Sequence, residues 1–427
     1  IRPEPGKGEK TYKWNWDTPL FISPHKNTRL YTAANMVFRT DDRGDNWSVI
    51  SPDLTTGVDR NSFPVMDKFW GVDAVSKDKS TSLFGTIVSL AESPVKENLL
   101  YAGTDDGLIQ VTEDVKTWRA SKNFPGVPEY TYVSDVLPSR FNENVVYASF
   151  NNHQSDDFKP YVMKSEDKGR TWKSISANLP ENGPVWSIAE DFENPDLLFV
   201  GTEFGFYFTI DGGKNWIKLQ NGLPDIPVRD IHLQKREGDI VIATFGRGFF
   251  ILDNYTPLRK ITNEMLEQEA FLFDTRDGLM YMESPGRYGT GTTYFKAPNP
   301  DFGVDLTYYI KEVPKTLKEI RKEMESKLFV DGKPIPIPSD SALNVENREV
   351  APYLIFSISD ESGNEVKKLT KTAGKGVQRI NWDLRYQSIT TLKADKFNAA
   401  MRQQSSSLVM PGKYKVAMSM VTRDGIK

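Results

Sequence analysis

The sequence predicts an all-β protein assembled from repeated antiparallel sheets, on three observations. Aromatic residues make up 12% of the 427 positions, and they alternate with turns drawn from 30 Gly and 26 Pro. Aromatic and β-branched strands cut by such turns are the mark of sheet proteins. One layout of three strands recurs five times before residue 257, and in most copies a Ser/Thr-x-Asp-x-Gly-x-x-Trp run follows the third strand.

Composition excludes several function classes. Lys and Arg number 54 against 58 Asp and Glu, a net charge of −4 that gives no basic surface for nucleic acid. The chain has no cysteine, so disulfide staples, cysteine–zinc sites and thiol nucleophiles are ruled out. Three histidines, His25, His153 and His232, leave little for a histidine metal cage, and neither metal nor cofactor is expected. No run is apolar enough to predict a membrane span within this piece. The chain starts at Ile1 without Met and stops after a turn at Thr422–Gly425 that reads as opening another strand, so a fragment of a longer polypeptide is expected.

The five units are anchored on Tyr31, Tyr101, Tyr147, Phe199 and Ile242 in their second strands, 70, 46, 52 and 43 residues apart. Apart from the first gap, widened by an insertion from about Pro52 to Phe84, this is the spacing of four-stranded β-propeller blades. The turn signature is complete at Thr40, Asp42, Gly44, Trp47, at Ser165, Asp167, Gly169, Trp172, and at Thr209, Asp211, Gly213, Trp216. The copy Thr112, Asp114, Trp118 is one residue short and lacks the Gly. The physical role is local: the carboxylate accepts backbone N–H bonds in a hairpin turn, Gly supplies positive φ, and Trp caps the turn and packs between sheets. A calcium site is the alternative, but Asp41–Asp45 lacks the alternating oxygens and distal Glu of an EF-hand loop. The fifth unit, ending at Asp253, has no such turn. Its fourth strand must come from elsewhere, from residues near Thr11–Asp17 or from upstream sequence; a larger ring is the favoured reading.

These motifs resemble the Asp-box, or BNR, repeat of sialidases, sortilin-type (VPS10) domains and xyloglucanase-like double propellers, where the box is structural. With the run from Trp14 to His25, Gly103–Gln110, Gly201–Gly205 and Thr244–Gly248, the chain is similar to a family of long secreted or envelope proteins of Bacteroidetes-type bacteria, often labelled glycosyl hydrolase. The resemblance implies an extracytoplasmic bacterial location, a larger parent, and a place in an envelope complex.

Residues 1–257 are thus expected as propeller blades, 258–301 as a connector with a short helix at 262–270, and 302–427 as a sandwich truncated at its C-terminus. A helix is predicted over 314–328, with Thr316 and Glu319 as a capping box, and residues 331–342 read as a loop. The strands after Tyr353, with Trp382 and the Pro411–Val416 run, resemble FlgD-type or fibronectin-III-like domains and imply an immunoglobulin-like sandwich with the helix inserted.

Blade geometry locates a site. The turns between second and third strands lie opposite the Asp turns and carry Asn35, Asp105, Asp106, His153, Glu203 and Arg247. Small neighbours there would let a ligand approach the backbone. The insertion adds Phe69 and Trp70. Carboxylates, an arginine and aromatics around a funnel fit a protein, peptide or glycan ligand. Asp105 and Glu203 are also candidates for glycosidase acid and nucleophile or base. The structural alternative is that the carboxylates cap their own turns and Arg247 pairs with one of them. Sialidase chemistry is disfavoured, because the Arg-Ile-Pro motif is missing. Three functions remain open: a non-catalytic binding scaffold, a glycoside hydrolase using the rim carboxylates, and a purely structural envelope part.

Overall fold

The computed structural model describes residues 3–75, 83–281, 299–387 and 406–427, and the chain divides into two compact units, Ile1–Arg259 and Lys260–Lys427. The first is built from β1–β4 (Leu20–Ile22, Leu30–Ala33, Val37–Thr40, Ser48–Val49), β5–β8 (Ile87–Glu92, Leu100–Thr104, Ile109–Thr112, Arg119–Ser121) and β9–β12 (Tyr132–Pro138, Val146–Asn152, Asp157–Ser165, Lys173–Ser174). Then follow β13–β16 (Val185–Glu190, Leu198–Thr202, Gly205–Thr209, Ile217–Lys218) and β17–β19 (Val228–Gln234, Asp239–Thr244, Phe249–Leu252). Each group is one antiparallel meander, four-stranded except the last. Inner strands β5, β9, β13 and β17 lie against one another in sequence order. This is the β-propeller arrangement that the repeat spacing predicts.

Burial follows the repeat. Tyr31, Tyr101, Tyr147 and Phe199 each face the following sheet, where they meet Leu100, Val146, Leu198 and Ile240 in four separate cores. In the fifth sheet the register corrects the sequence reading by one residue. Phe245 N–H bonds Pro227 O as Glu203 N–H bonds Pro184 O, so Val241, not Ile242, occupies the anchor position. Both residues are apolar, so composition did not separate them. Two acidic latches join blades as well. Glu92 accepts from Ser23 and Tyr31 of the first blade, and Glu190 accepts from Ser139 Oγ (2.7 Å) and the Arg140 N–H (2.8 Å) of the third.

The turns between third and fourth strands show what their signature does. Asp42 Oδ1 accepts from the Thr40 hydroxyl (2.6 Å) and the Asn46 N–H (3.0 Å), and Gly44 N–H donates to Thr40 Oγ1. Asp167 and Asp211 repeat the pattern. In the short copy Val115 takes the positive φ, 55°, and Asp114 accepts from the N–H groups of Lys116 and Thr117. Each following Trp packs back onto the preceding blade. Trp118 Nε1 donates to Ile50 O, Trp172 meets Phe124, and Trp216 Nε1 donates to Ile175 O at 2.8 Å. Trp47, in the first of the described blades, is only half-buried.

The arc's two end faces are uncovered among the described residues. On the first, Leu20 is 64% and Ile22 60% exposed; on the last, Phe249 is 74% and Ile251 61% exposed. Thr11–Asp17 does not supply a fourth strand to the fifth sheet. Tyr12 and Trp14 instead pack on Phe38 of the first sheet, with centroids 4.8 and 5.5 Å away.

The second unit contains α1 (Asn263–Leu266), β20 (Ala270–Leu272), β21 (Val304–Ile310), α2 (Leu317–Val330), α3 (Asp340–Arg348), β22 (Tyr353–Ser359), β23 (Glu365–Thr372), β24 (Gly376–Trp382), β25 (Lys415–Thr422) and β26 (Gly425–Ile426). Sheets β20-β21-β24 and β23-β22-β25-β26 enclose Leu306, Tyr308, Ile310, Leu354 and Phe356, with Trp382 beside Ile358. The first of these strands, β20, falls in the stretch read as a connector, because Ala270–Leu272 pairs with Tyr308–Ile310. The Thr316–Glu319 capping box is present. Residues 331–342 are not wholly loop: Ser339 caps α3, and Arg321 of α2 grips its Glu346 through two nitrogens. The Pro-rich approach hid that helix. Most of the polar stretch after Gln387 lies outside the described residues.

Candidate ligand site at the propeller mouth

A recurrent irregularity builds the site. Inner strands β5, β9, β13 and β17 each carry one extra residue near the end that adjoins the second-to-third turns: Val88, Ser134, Trp186 and Arg229. A β-bulge leaves its extra residue out of the ladder and re-aims its side chain. The two largest of these residues meet. The Arg229 guanidinium carbon lies 3.5 Å from the centroid of the Trp186 ring and 5.4 Å from that of Phe245. Trp186 Nε1 donates to Glu203 Oε2 at 2.8 Å, and Arg229 Nη2 stands 3.6 Å from the same oxygen. The His153 ring sits 5.5 Å from Trp186, its Nδ1 2.6 Å from Asn151 Oδ1. Desolvation, then the charge of Arg229, hold His153 below its usual pKa. Asp17 is within electrostatic reach of Arg229, and Trp16 beside it is 91% exposed.

Other rim residues named by the sequence serve the scaffold. Asn35 is buried, accepts the Lys13 N–H and donates to Asp53. Asp106 accepts from Thr104 and from both the N–H and hydroxyl of Thr56, so it ties down the insertion. Asp105 accepts from the Gly85 N–H, the Thr86 N–H and the Thr86 hydroxyl, all within 3.1 Å. Phe69 and Trp70 are exposed on the insertion, Trp70 Nε1 donating to Val65 O. Arg247 is exposed in its turn; the arginine beside Glu203 is Arg229. Sequence reasoning missed Trp186 and Arg229 because it looked for function in turns. The available signal was their shared repeat position, where a Trp and an Arg stand in place of Val88.

Gly103 and Gly201, at the strand ends beside these turns, do not make room for a ligand: a Cβ on Gly103 would fall 2.5 Å from Val133, and one on Gly201 would fall 2.6 Å from the Val228 carbonyl oxygen, so both let the next inner strand approach. Gly246 and Gly248 of the fifth turn differ, with nothing within 4 Å of their Cβ positions. Among the described residues, no group of three or more His, Asp or Glu is placed to hold a metal ion. In the second unit, an open cleft of about 440 Å³ is lined by Glu312, Lys315, Glu323 and Lys375, which pair with one another.

Half-buried carboxylates give the first unit a distinctive pH response. Desolvation between β9 and β13 pushes Asp135 up to about 7, against one bond from the Ile188 N–H, and desolvation pushes Asp105 up to about 6. Both bind protons in the folded state where the unfolded chain has released them. Stability is therefore expected to fall as pH rises from about 4 to about 7. The Asp turns act oppositely. The Thr40 hydroxyl and the Asn46 N–H bring Asp42 down to about 2, and the Thr117 and Lys116 N–H groups do the same for Asp114, so their contribution is lost as pH falls from about 4. Asp135→Asn is expected to flatten the decline between about pH 5 and 7, read as Tm against pH. An unchanged slope would remove Asp135 as its source.

Fold and mouth together define a propeller-type repeat protein. No known family profile and no curated protein matches the sequence. Solved structures similar to it include the GH74 xyloglucanase from Xanthomonas campestris, at 18% identity and a TM-score of 0.41, over 56% of this chain and 36% of that one. An ancestral GH74 enzyme is 17% identical with a TM-score of 0.40, over 55% and 28%. The extracellular domain of a putative hybrid two-component system from B. thetaiotaomicron is 14% identical with a TM-score of 0.38, over 60% and 28%. The chain spans about a third of these proteins. Likeness of this degree does not bear on substrate.

Proposed function

We propose that the first unit is a non-catalytic binding module of an exported bacterial protein, engaging a protein, peptide or glycan at the mouth opposite the Asp turns. The observation that carries this is the Trp186–Arg229–Glu203 cluster, a charged aromatic platform raised on bulges of successive blades. Rigid aromatic and arginine side chains are the groups on which binding energy concentrates. The rim carboxylates support the same reading, since Asp105 and Asp106 are committed to their own scaffold. Location outside the cytoplasm rests on the resemblance of the sequence motifs to those of secreted repeat proteins.

A second reading, glycoside hydrolysis, is favoured by one fact: Asp105 is pushed up to about 6, a range suited to a general acid. The test is a glycan and peptide screen for both binding and cleavage, run on the full chain and on an Asp105→Asn/Glu203→Gln variant. Binding without cleavage is expected. Glycan cleavage that the double variant abolishes would establish the hydrolase instead.

A further inference from the structure

Arg229 has no hydrogen-bonded counter-charge at the mouth. Its Nε is buried with no hydrogen-bond partner, and its closest carboxylate oxygen, Glu203 Oε2, lies at 3.6 Å and is already taken by Trp186. A guanidinium held over an indole ring has its N–H donors fixed in direction, and such a fork matches a carboxylate with two parallel bonds. The groups around it set what must carry that carboxylate. Glu203 is an acceptor beside it and Asp17 is within electrostatic reach, so a bare anion is repelled; a ligand with hydroxyl donors satisfies them. Phe245 offers a ring that is 69% exposed beside the guanidinium, a surface for the apolar face of a pyranose.

We propose that the mouth recognises an acidic saccharide, its carboxylate on Arg229, its hydroxyls on Glu203 and Asp17, and a sugar face on Phe245. This rests on the binding function proposed above and names its ligand class. A peptide is the weaker fit. An extended peptide would add to the free edge of an inner strand, and the bulges at Val88, Ser134, Trp186 and Arg229 interrupt that edge where the mouth lies.

The test is calorimetric titration of the full chain with an oligomer of galacturonic acid, the neutral galactose oligomer of the same length, and acetate. Trp186 fluorescence serves as a second readout. The acidic oligomer is expected to bind, the neutral one at least about tenfold more weakly, and acetate not measurably, the loss of a charge-assisted bond being worth that factor or more. Arg229→Lys keeps the charge but loses the fork, and is expected to weaken the acidic oligomer about tenfold. Equal binding of both oligomers, or acidic binding indifferent to Arg229→Lys, overturns the inference and leaves the binding function standing. Binding of peptides alone does the same. If neither oligomer binds and the peptide screen is also empty, the inference and the binding function fall together.

Discussion

Trp216→Ala is expected to destabilise the first unit by about 3–5 kcal/mol, the cost of emptying a well-packed aromatic site. Trp216 is 4% exposed, sits among Ile175, Leu179 and Tyr207, and bonds the third blade through both its indole and its backbone N–H, the latter to Asn178 Oδ1. It therefore joins two blades rather than closing one turn. Trp47→Ala, at the same repeat position, is expected to cost clearly less, because among the described residues that ring is only half-buried and its Nε1 has no hydrogen-bond partner. Denaturant unfolding of the two variants, followed by hydrogen exchange in the first unit, separates these cases. Equal losses would mean that the tryptophans act only within their own turns.

Gly201→Ala is the second large effect. The added Cβ would lie 2.6 Å from the Val228 carbonyl oxygen, 2.7 Å from Val228 Cγ1 and 2.9 Å from Ser187 Oγ. Two of those atoms belong to the next blade's inner strand, and one of the two is backbone, so relief requires the blades to part. Overpacking of this kind costs about 1–3 kcal/mol. The same shift would move Val228 and hence Arg229, so the Trp186–Arg229 stack should loosen, visible as a change in Trp fluorescence. Gly71→Ala is the control, since nothing lies within 4 Å of its Cβ position. A Gly201→Ala protein as stable as wild type would show that the turn glycines are not there for blade approach.

Much of the fold is legible in the residues because its causes are local and repeated. The Asp turns follow from a few residue types at fixed offsets, and the carboxylate accepts backbone N–H groups wherever they occur, even in the copy that lacks the Gly, where Val115 takes the positive φ that Arg43 and Lys168 take at the same offset. The anchors Tyr31, Tyr101, Tyr147 and Phe199 announce the blades because each must fill the same space against its neighbour. The capping box at Thr316 follows from pattern alone in the same way.

The mouth was less legible. His153 and Glu203 lie against Trp186, while Asn35 and Asp106 are bonded into the scaffold, and Gly103 and Gly201 give the next blade room to approach. Trp186 and Arg229 were invisible as a pair because they stand 43 residues apart and meet only when bulges turn them out of adjacent sheets. The amino-acid order by itself determined the repeating unit, since turn chemistry and strand alternation act over a few residues. Only the tertiary structure decided which rim groups are occupied and which face open space, because that depends on how neighbouring blades press together.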